Sequence, residues 1–170
     1  VNEFSDFARM PKPILKDNNL IILVKDNINL IRELDNNISI NFNFNIDKII
    51  LNSDNEQLSR VFFNLIKNSI ESIQEKRLIN KDFKGNIDIT LNDNVLDISF
   101  IIIDDGLGFK IFKDSIKDIL NPYFTTKKKG TGLGLAIVNK IINDHNGFIE
   151  FTSIENGAKI QGMTCSVGGN

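Results

Sequence analysis

TTKKKGTGLGLAIV, residues 125–138, decides how the rest of the chain is read. Three glycines, Gly130, Gly132 and Gly134, fall within five residues between a lysine cluster and an amphipathic stretch of helical period. Lacking Cβ atoms, such a turn lets backbone N–H groups close on an anion. The positive end of the helix that follows adds to the attraction. The stretch reads as a nucleotide-phosphate cradle. Its spacing, G-x-G-x-G-x-A, is neither the dinucleotide fingerprint G-x-G-x-x-G nor the P-loop G-x-x-x-x-G-K-[ST]. Taken alone, a glycine-rich connector into a buried helix would look the same, so the neighbouring boxes decide.

Upstream, residues 95–103 read as a strand that is nearly all apolar toward its end and therefore central in its sheet. It delivers Asp104-Asp105-Gly106-Leu107-Gly108 at its carboxyl end. An aspartate there can accept a hydrogen bond from an exocyclic amine, and the glycines leave room for a flat base against backbone, which suits adenine. Residues 55–76 form the longest expected helix, with Leu58, Phe62, Leu65, Ile66 and Ile73 on one stripe and Ser53-Asp54 offering a cap. At about 100° per residue, Asn64, Asn68 and Glu71 gather on another side. Asn64 and Asn68, one turn apart, present amide oxygens that suit Mg²⁺, a cation that prefers oxygen ligands and keeps phosphate oxygens and waters in its shell. Lys127, Lys128 and Lys129 read equally as a solvated charge run or as a phosphate contact, for which Lys127 is the best placed. Glu71 could orient a metal-bound water or form a surface salt bridge.

Composition limits the alternatives. A chain of 170 residues that is 41% hydrophobic can bury a core of its own. With 20 basic and 22 acidic side chains, its net charge of −2 gives no bulk attraction to nucleic acid or to an anionic membrane. The single Cys165 excludes an internal disulfide and a cysteine metal cluster, and the single His145 excludes a multi-histidine site. A reducing, cytoplasmic setting fits. No apolar run approaches the roughly 20 residues of a membrane helix and no signal-peptide pattern is present, so this piece is expected neither to span a membrane nor to be exported. Beginning at Val1, it reads as a fragment whose parent is free to be membrane-anchored. Asparagine is abundant throughout, so single asparagines weigh little.

The remaining elements follow from periodicity. Phe4, Phe7 and Ala8 have helical spacing up to Pro11-Lys12-Pro13, which breaks it. From about Asp17, Leu20, Ile21, Val24, Ile28, Ile31 and Leu34 predict an amphipathic helix ending near Asp35-Asn36-Asn37. Ile38, Ile40, Phe42, Phe44 and Ile46 alternate as a strand, residues 49–51 form a short one, and residues 85–91 pair with 95–103 through a turn at 92–94. Residues 109–130 carry little apolar period, as a functional lid or a disordered segment would. A helix over 133–145 and a strand over 148–152 complete the pattern.

Four boxes stand in order: Asn64-x-x-x-Asn68, Asp104-x-Gly106-x-Gly108, Pro122-Tyr-Phe-Thr-Thr-Lys127 and Gly130-Thr-Gly-Leu-Gly-Leu-Ala136. Together they resemble the ATP-binding domain of sensor histidine kinases, within the wider group that contains gyrase, Hsp90 and MutL. Glu-Phe-Ser-Asp-Phe-Ala-Arg-Met-Pro-Lys-Pro at residues 3–13 is similar to the end of the dimerisation helix of nitrogen-regulation sensors of the NtrY and NtrB type. The likeness covers the chain to about residue 161.

The resemblance implies an α/β two-layer sandwich, the Bergerat fold. It has a mixed, mostly antiparallel sheet with three main helices on one face and ATP between helices and lid. It divides the chain into the end of a preceding dimerisation helix and linker (1–13), an ATP-binding domain (14–161) with a lid at about 109–130, and an atypical tail (162–170). It makes Asn68 the principal Mg²⁺ ligand with Asn64 beside it, Asp104 the adenine-reading carboxylate, and Phe124 the lid aromatic. Gly130, Thr131, Gly132, Leu133 and Gly134 hold the phosphates. Hsp90-type relatives place a water-activating glutamate where this chain has Asn64, so the chain looks like a phosphotransferase rather than an ATP hydrolase. The implied reaction passes the γ-phosphoryl group to a histidine on a separate dimerisation domain, which then serves a response regulator. A non-catalytic nucleotide-dependent interaction module is the alternative.

Three departures accompany the likeness. Asp105 stands where the family usually has Asn, and its extra charge could weaken ATP binding. His145 is tempting as a phosphoacceptor, yet it sits at a helix end where an imidazolium suits the dipole and where these sensors often carry His. From Gly162 onward the residues read as loop, so the last strand is expected to be short or frayed.

Overall fold

The computed structural model describes residues 10–108 and 134–165. In chain order these form β1 (Lys16–Asn19), α1 (Leu20–Arg32), β2 (Ser39–Phe44), β3 (Ile50–Ser53), α2 (Asn55–Ile79), β4 (Asn86–Asp93) and β5 (Asp97–Asp104). Then come α3 (Gly134–Asp144), β6 (Gly147–Ile154) and β7 (Gly157–Cys165). The main sheet has the order β2-β4-β5-β7-β6, and β1 and β3 make a separate two-stranded ribbon. β2 runs parallel to β4, and the other three pairings are antiparallel. This is the expected two-layer α/β sandwich, and β5 lies in the middle of its sheet, as its apolar run requires.

One core joins the layers. Ile87, Ile89, Leu91, Phe100, Ile102, Phe151 and Ile160 from the sheet pack with Val24, Ile28 and Ile31 of α1, Val61, Leu65 and Ile66 of α2, and Ile137 and Ile141 of α3. Burying each such side chain stabilises by about 1.5–3 kcal/mol. The helix starts are set by caps. Asn19 Oδ1 accepts the Ile21 N–H at 3.1 Å and Asp54 Oδ1 accepts the Gln57 N–H at 3.0 Å, so each side chain satisfies an orphan donor of the first turn. Glu56 in the first turn of α2, and Lys76 and Arg77 in its last, complement the helix dipole.

The helix expected from about Asp17 starts three residues later, because residues 16–19 form β1 antiparallel to β3. Asn18 Nδ2 donates to the Ser53 carbonyl at 2.8 Å and Asn52 Nδ2 to Asp17 Oδ1 at 3.1 Å, tying this segment to β3 before Asn19 turns it into the helix. α1 also stops short of Asp35, leaving Leu34 exposed. The β4–β5 turn falls after Asp93 rather than at 92–94: the Asn94 N–H donates to the Asp97 carbonyl at 2.8 Å, and Val95 takes φ of 75°.

The expected loop after Gln161 is a strand. β7 continues through Gly162, Met163 and Thr164 to Cys165, paired with both β5 and β6. Gly162 lies directly opposite Phe100, and a Cβ on it would fall 2.1 Å from the Phe100 ring. That glycine is the space the ring occupies, and the ring packs edge-on against Phe62 with centroids 5.1 Å apart. Thr164 Oγ1 donates to the His145 carbonyl at 2.7 Å and fixes the strand's far end.

Candidate nucleotide site

Two elements meet to form the described part of the site, helix α2 and the end of β5. Asn64, Asn68 and Glu71 are all half-buried on α2, outside its fully buried stripe, as the helical projection requires. Asp104 ends β5 and is 4% exposed. Burial pushes its carboxyl up to about 6. The Gly106 N–H, the nearby Ser69 hydroxyl and the Lys76 charge pull it down, and the charge of Asp105 pushes it up. The Gly106 N–H donates to Asp104 Oδ1 at 3.0 Å. Ser69 Oγ lies close enough to favour the carboxylate, yet it is buried without a partner at full hydrogen-bonding geometry. A buried carboxyl with an unfilled donor beside it has capacity left for a polar ligand edge.

The residues after Asp104 are pressed onto α2. A Cβ on Gly106 would sit 2.4 Å from Ser72 Oγ and 2.7 Å from the Ser72 backbone carbon, so only glycine lets the two backbones approach this closely. The Leu107 N–H donates to Ser72 Oγ at 3.0 Å. Gly108 follows at φ of 76°. Asp105, the departure from the family pattern, turns its carboxylate to the sheet: its Oδ1 accepts the Asn86 N–H at 2.7 Å. Its charge reaches the site only as a field on Asp104.

Gly134 is the first residue of α3, and among the described residues no atom lies within 4 Å of where its Cβ would be. Packing against the described residues therefore does not demand glycine there. Phe124, Lys127, Gly130, Thr131, Gly132, Leu133 and the expected lid over 109–130 lie outside the described residues, as does residues 1–9 of the expected preceding helix.

His145 is buried at the end of α3, in a different state from the one expected. Its Nε2 accepts the Asp54 N–H at 3.1 Å, so the ring proton is assigned to Nδ1, 2.7 Å from the Ile141 carbonyl. The arrangement calls for a neutral imidazole. The imidazolium inferred from the helix dipole does not fit, because a backbone donor occupies the nitrogen that would be protonated.

Ser69, Ser72 and Lys76 escaped the sequence reading. Asn68, Ser72 and Lys76 follow one another at four-residue steps, so the signal was present in the helical projection. Nothing local shows that Asp105, Gly106 and Leu107 would lie against them.

The chain matches known proteins along most of its length. The profile of the histidine kinase-, DNA gyrase B- and HSP90-like ATPase family covers residues 53–167. A putative NtrY-like sensor histidine kinase of Rickettsia felis is 36% identical over 155 residues, which are 91% of this chain and 24% of that protein. The nitrogen regulation protein NtrY of Azorhizobium caulinodans is 34% identical over 160 residues, 92% of this chain and 20% of the relative. The chain thus spans about a quarter or less of the length of these curated relatives. Among solved structures, the catalytic domain of the histidine kinase ThkA superposes with a TM-score of 0.78 at 28% identity, covering 90% of this chain and 96% of that one. ThkA in complex with the response regulator TrrA superposes with a TM-score of 0.79 at 24% identity, covering 97% and 46%. The chain therefore belongs to the histidine kinase-, DNA gyrase B- and HSP90-like ATPase family, as an ATP-binding domain of the sensor-kinase type.

Proposed function

We propose that this domain binds Mg-ATP between α2 and the glycine turn ahead of α3. It then presents the γ-phosphoryl group to a histidine on a separate dimerisation domain, for relay to a response regulator. The observation that carries the reading is Asp104, a carboxyl buried at a strand end between Gly106 and Ser69. Such a group suits one exocyclic amine, and the nearby Lys76 charge favours its ionised, purely accepting form. Asn64 and Asn68 would hold Mg²⁺ through amide oxygens. Among the described residues no cluster of three or more His, Cys, Asp or Glu offers an alternative metal site, and one or two protein oxygens completed by phosphate and water is the donor set this ion prefers. The metal supplies charge neutralisation on the transferring phosphoryl group.

Asp104 with Gly106 and Gly108 orients the base. Gly130, Thr131, Gly132, Leu133 and Gly134 would cradle the phosphates on backbone N–H groups, Lys127 would add a point charge, and Phe124 would cover the base from the lid. Positioning and charge account for most of the catalysis in phosphoryl transfer, so few residues need to do covalent chemistry. The absence of a glutamate at position 64 favours transfer over hydrolysis. The response regulator as partner is supported by the ThkA complex, whose kinase shares this fold. Among the described residues no helix is long and apolar enough to cross a membrane. We infer a cytoplasmic setting for the domain.

The test adds a separate dimerisation domain carrying an acceptor histidine, with labelled Mg-ATP. Label on that histidine, reduced by Asn68→Ala, is the expected result. Tight Mg-ATP binding without transfer to any offered acceptor would instead favour a nucleotide-dependent interaction module.

A further inference from the structure

Helix α2 grips the strand end at successive turns. Ser72 Oγ accepts the Leu107 N–H at 3.0 Å, and one turn further on Lys76 Nζ donates to the Asp105 carbonyl at 2.8 Å. The same ammonium stands 4.4 Å from the centroid of the Phe83 ring, which holds it in place. Asn68, Ser72 and Lys76 occupy an arc of about 80° on the helix, so the face that carries the proposed metal ligand also reaches the residues after Asp104. The carbonyl of Asp105 and the N–H of Gly106 belong to one peptide plane. Lys76 holds the oxygen of that plane, and its N–H donates to Asp104 Oδ1 at 3.0 Å.

We propose that Lys76 is a positioning residue for base recognition: by clamping the Asp105–Gly106 peptide it aims the Asp104 carboxylate at the nucleotide base. The inference rests on the reading of Asp104 as the base-reading group. A charged donor polarises the peptide it binds and strengthens the hydrogen bond on the peptide's far side. The strand end is held to the sheet independently, by the Asp105 N–H on the Asn86 carbonyl and the Asn86 N–H on the Asp105 carboxylate. Lys76 adds the restraint toward the helix. Among the described residues, Asp105 and Lys76 are the charged groups whose fields act on Asp104, and Lys76 is the favourable one.

The experiment measures Mg-ADP and Mg-GDP binding by calorimetry to the 170-residue chain and to Lys76→Met, Lys76→Arg, Lys76→Gln and Asp104→Asn, each checked by thermal melting. Lys76→Met is expected to lose about tenfold in Mg-ADP affinity, the size of one charged hydrogen bond. Its preference for ADP over GDP should shrink by a similar factor, and Lys76→Arg should recover most of both. A Met variant that binds Mg-ADP like the parent chain, or that loses ADP and GDP equally, overturns the proposal. Should the Met variant not fold, Gln and Arg decide: equal affinities overturn it, and a weak Gln variant beside a strong Arg variant supports it. Undiminished Mg-ADP binding by Asp104→Asn removes the base reader itself, an outcome distinct from failure of Lys76 alone.

Discussion

The backbone N–H of Asp54 donates to Nε2 of His145 at 3.1 Å, joining the cap of α2 to the end of α3 across 91 residues of sequence. The contact takes the imidazole out of phosphate chemistry, because both ring nitrogens are engaged and the residue is 8% exposed. Labelled Mg-ATP should leave His145 unlabelled in this chain, and label at His145 would contradict the assignment. His145→Ala should cost about 1–3 kcal/mol in denaturant unfolding, since the Asp54 N–H loses its partner in a partly buried position.

Asp104 is stored at a cost in stability. Burial pushes its carboxyl from 3.8 to about 6, which costs about 3 kcal/mol once the group is ionised. The sign follows from linkage: the folded state binds this proton more tightly than the unfolded state, so the stabilisation is complete below about 4 and is lost as pH rises through about 6. Asp104→Asn should therefore melt higher than the parent at pH 7 without nucleotide, and should lack this pH-dependent loss. The same variant should bind Mg-ATP at least about tenfold more weakly, because an amide can present a donor where the base presents one. A variant that is less stable at pH 7, or that keeps full affinity, would break the link between this strain and base binding.

Gly162 gives a purely steric prediction. Gly162→Val would drive a side chain into the Phe100 ring, whose nearest atom would be 2.1 Å from the new Cβ. Overpacking of this kind costs about 1–3 kcal/mol. Phe100→Leu should relieve part of it, so the double variant, measured by denaturant unfolding, should be more stable than the sum of the single losses allows. Strict additivity would show that β7 does not use Gly162 as the seat of that ring.

What could be read in advance divides along the range of the contacts. β5 was legible as a central strand because its apolar run is local, and Asn64, Asn68 and Glu71 were legible as one row because the projection needs only the helical repeat. β1 was not. Asn18 and Asn19 leave the helical pattern for partners at Ser53 and Ile49, some thirty residues away. Gly162 looked like a loop residue for the same reason, since what fills its missing side chain is Phe100, on the neighbouring strand. Asp104, Gly106 and Gly108 were singled out as candidates by residue type and spacing, which are local features. Lys76 was hidden because a lysine near a helix end reads as a dipole partner until the strand beside it is known.

Asp54 titrates in the opposite sense to Asp104 and supplies the last test. Burial alone would raise its carboxyl, but the backbone N–H groups of Gln57, Ile14 and Glu56 outweigh burial and hold it below the usual carboxylate range. Oδ1 accepts the Gln57 N–H at 3.0 Å and Oδ2 the Ile14 N–H at 2.9 Å, while Gln57 Nε2 donates to the Pro11 carbonyl at 3.0 Å. One carboxylate thus caps the helix that carries Asn64 and Asn68 and also ties down the chain segment leading into the domain. For a lowered group the sign reverses: its contribution is present above the unfolded value of 3.8 and is lost as pH falls through the folded one. Asp54→Asn retains a capping oxygen and loses the charge, so it should be less stable than the parent at pH 7 by about 1 kcal/mol or less. The gap should close as the solution is acidified below pH 4, and proteolysis at residues 11–14 should be faster in the variant at pH 7. A stability gap that stays constant from pH 7 to pH 3 would mean that the charge of Asp54 contributes nothing to the cap or to the segment it holds.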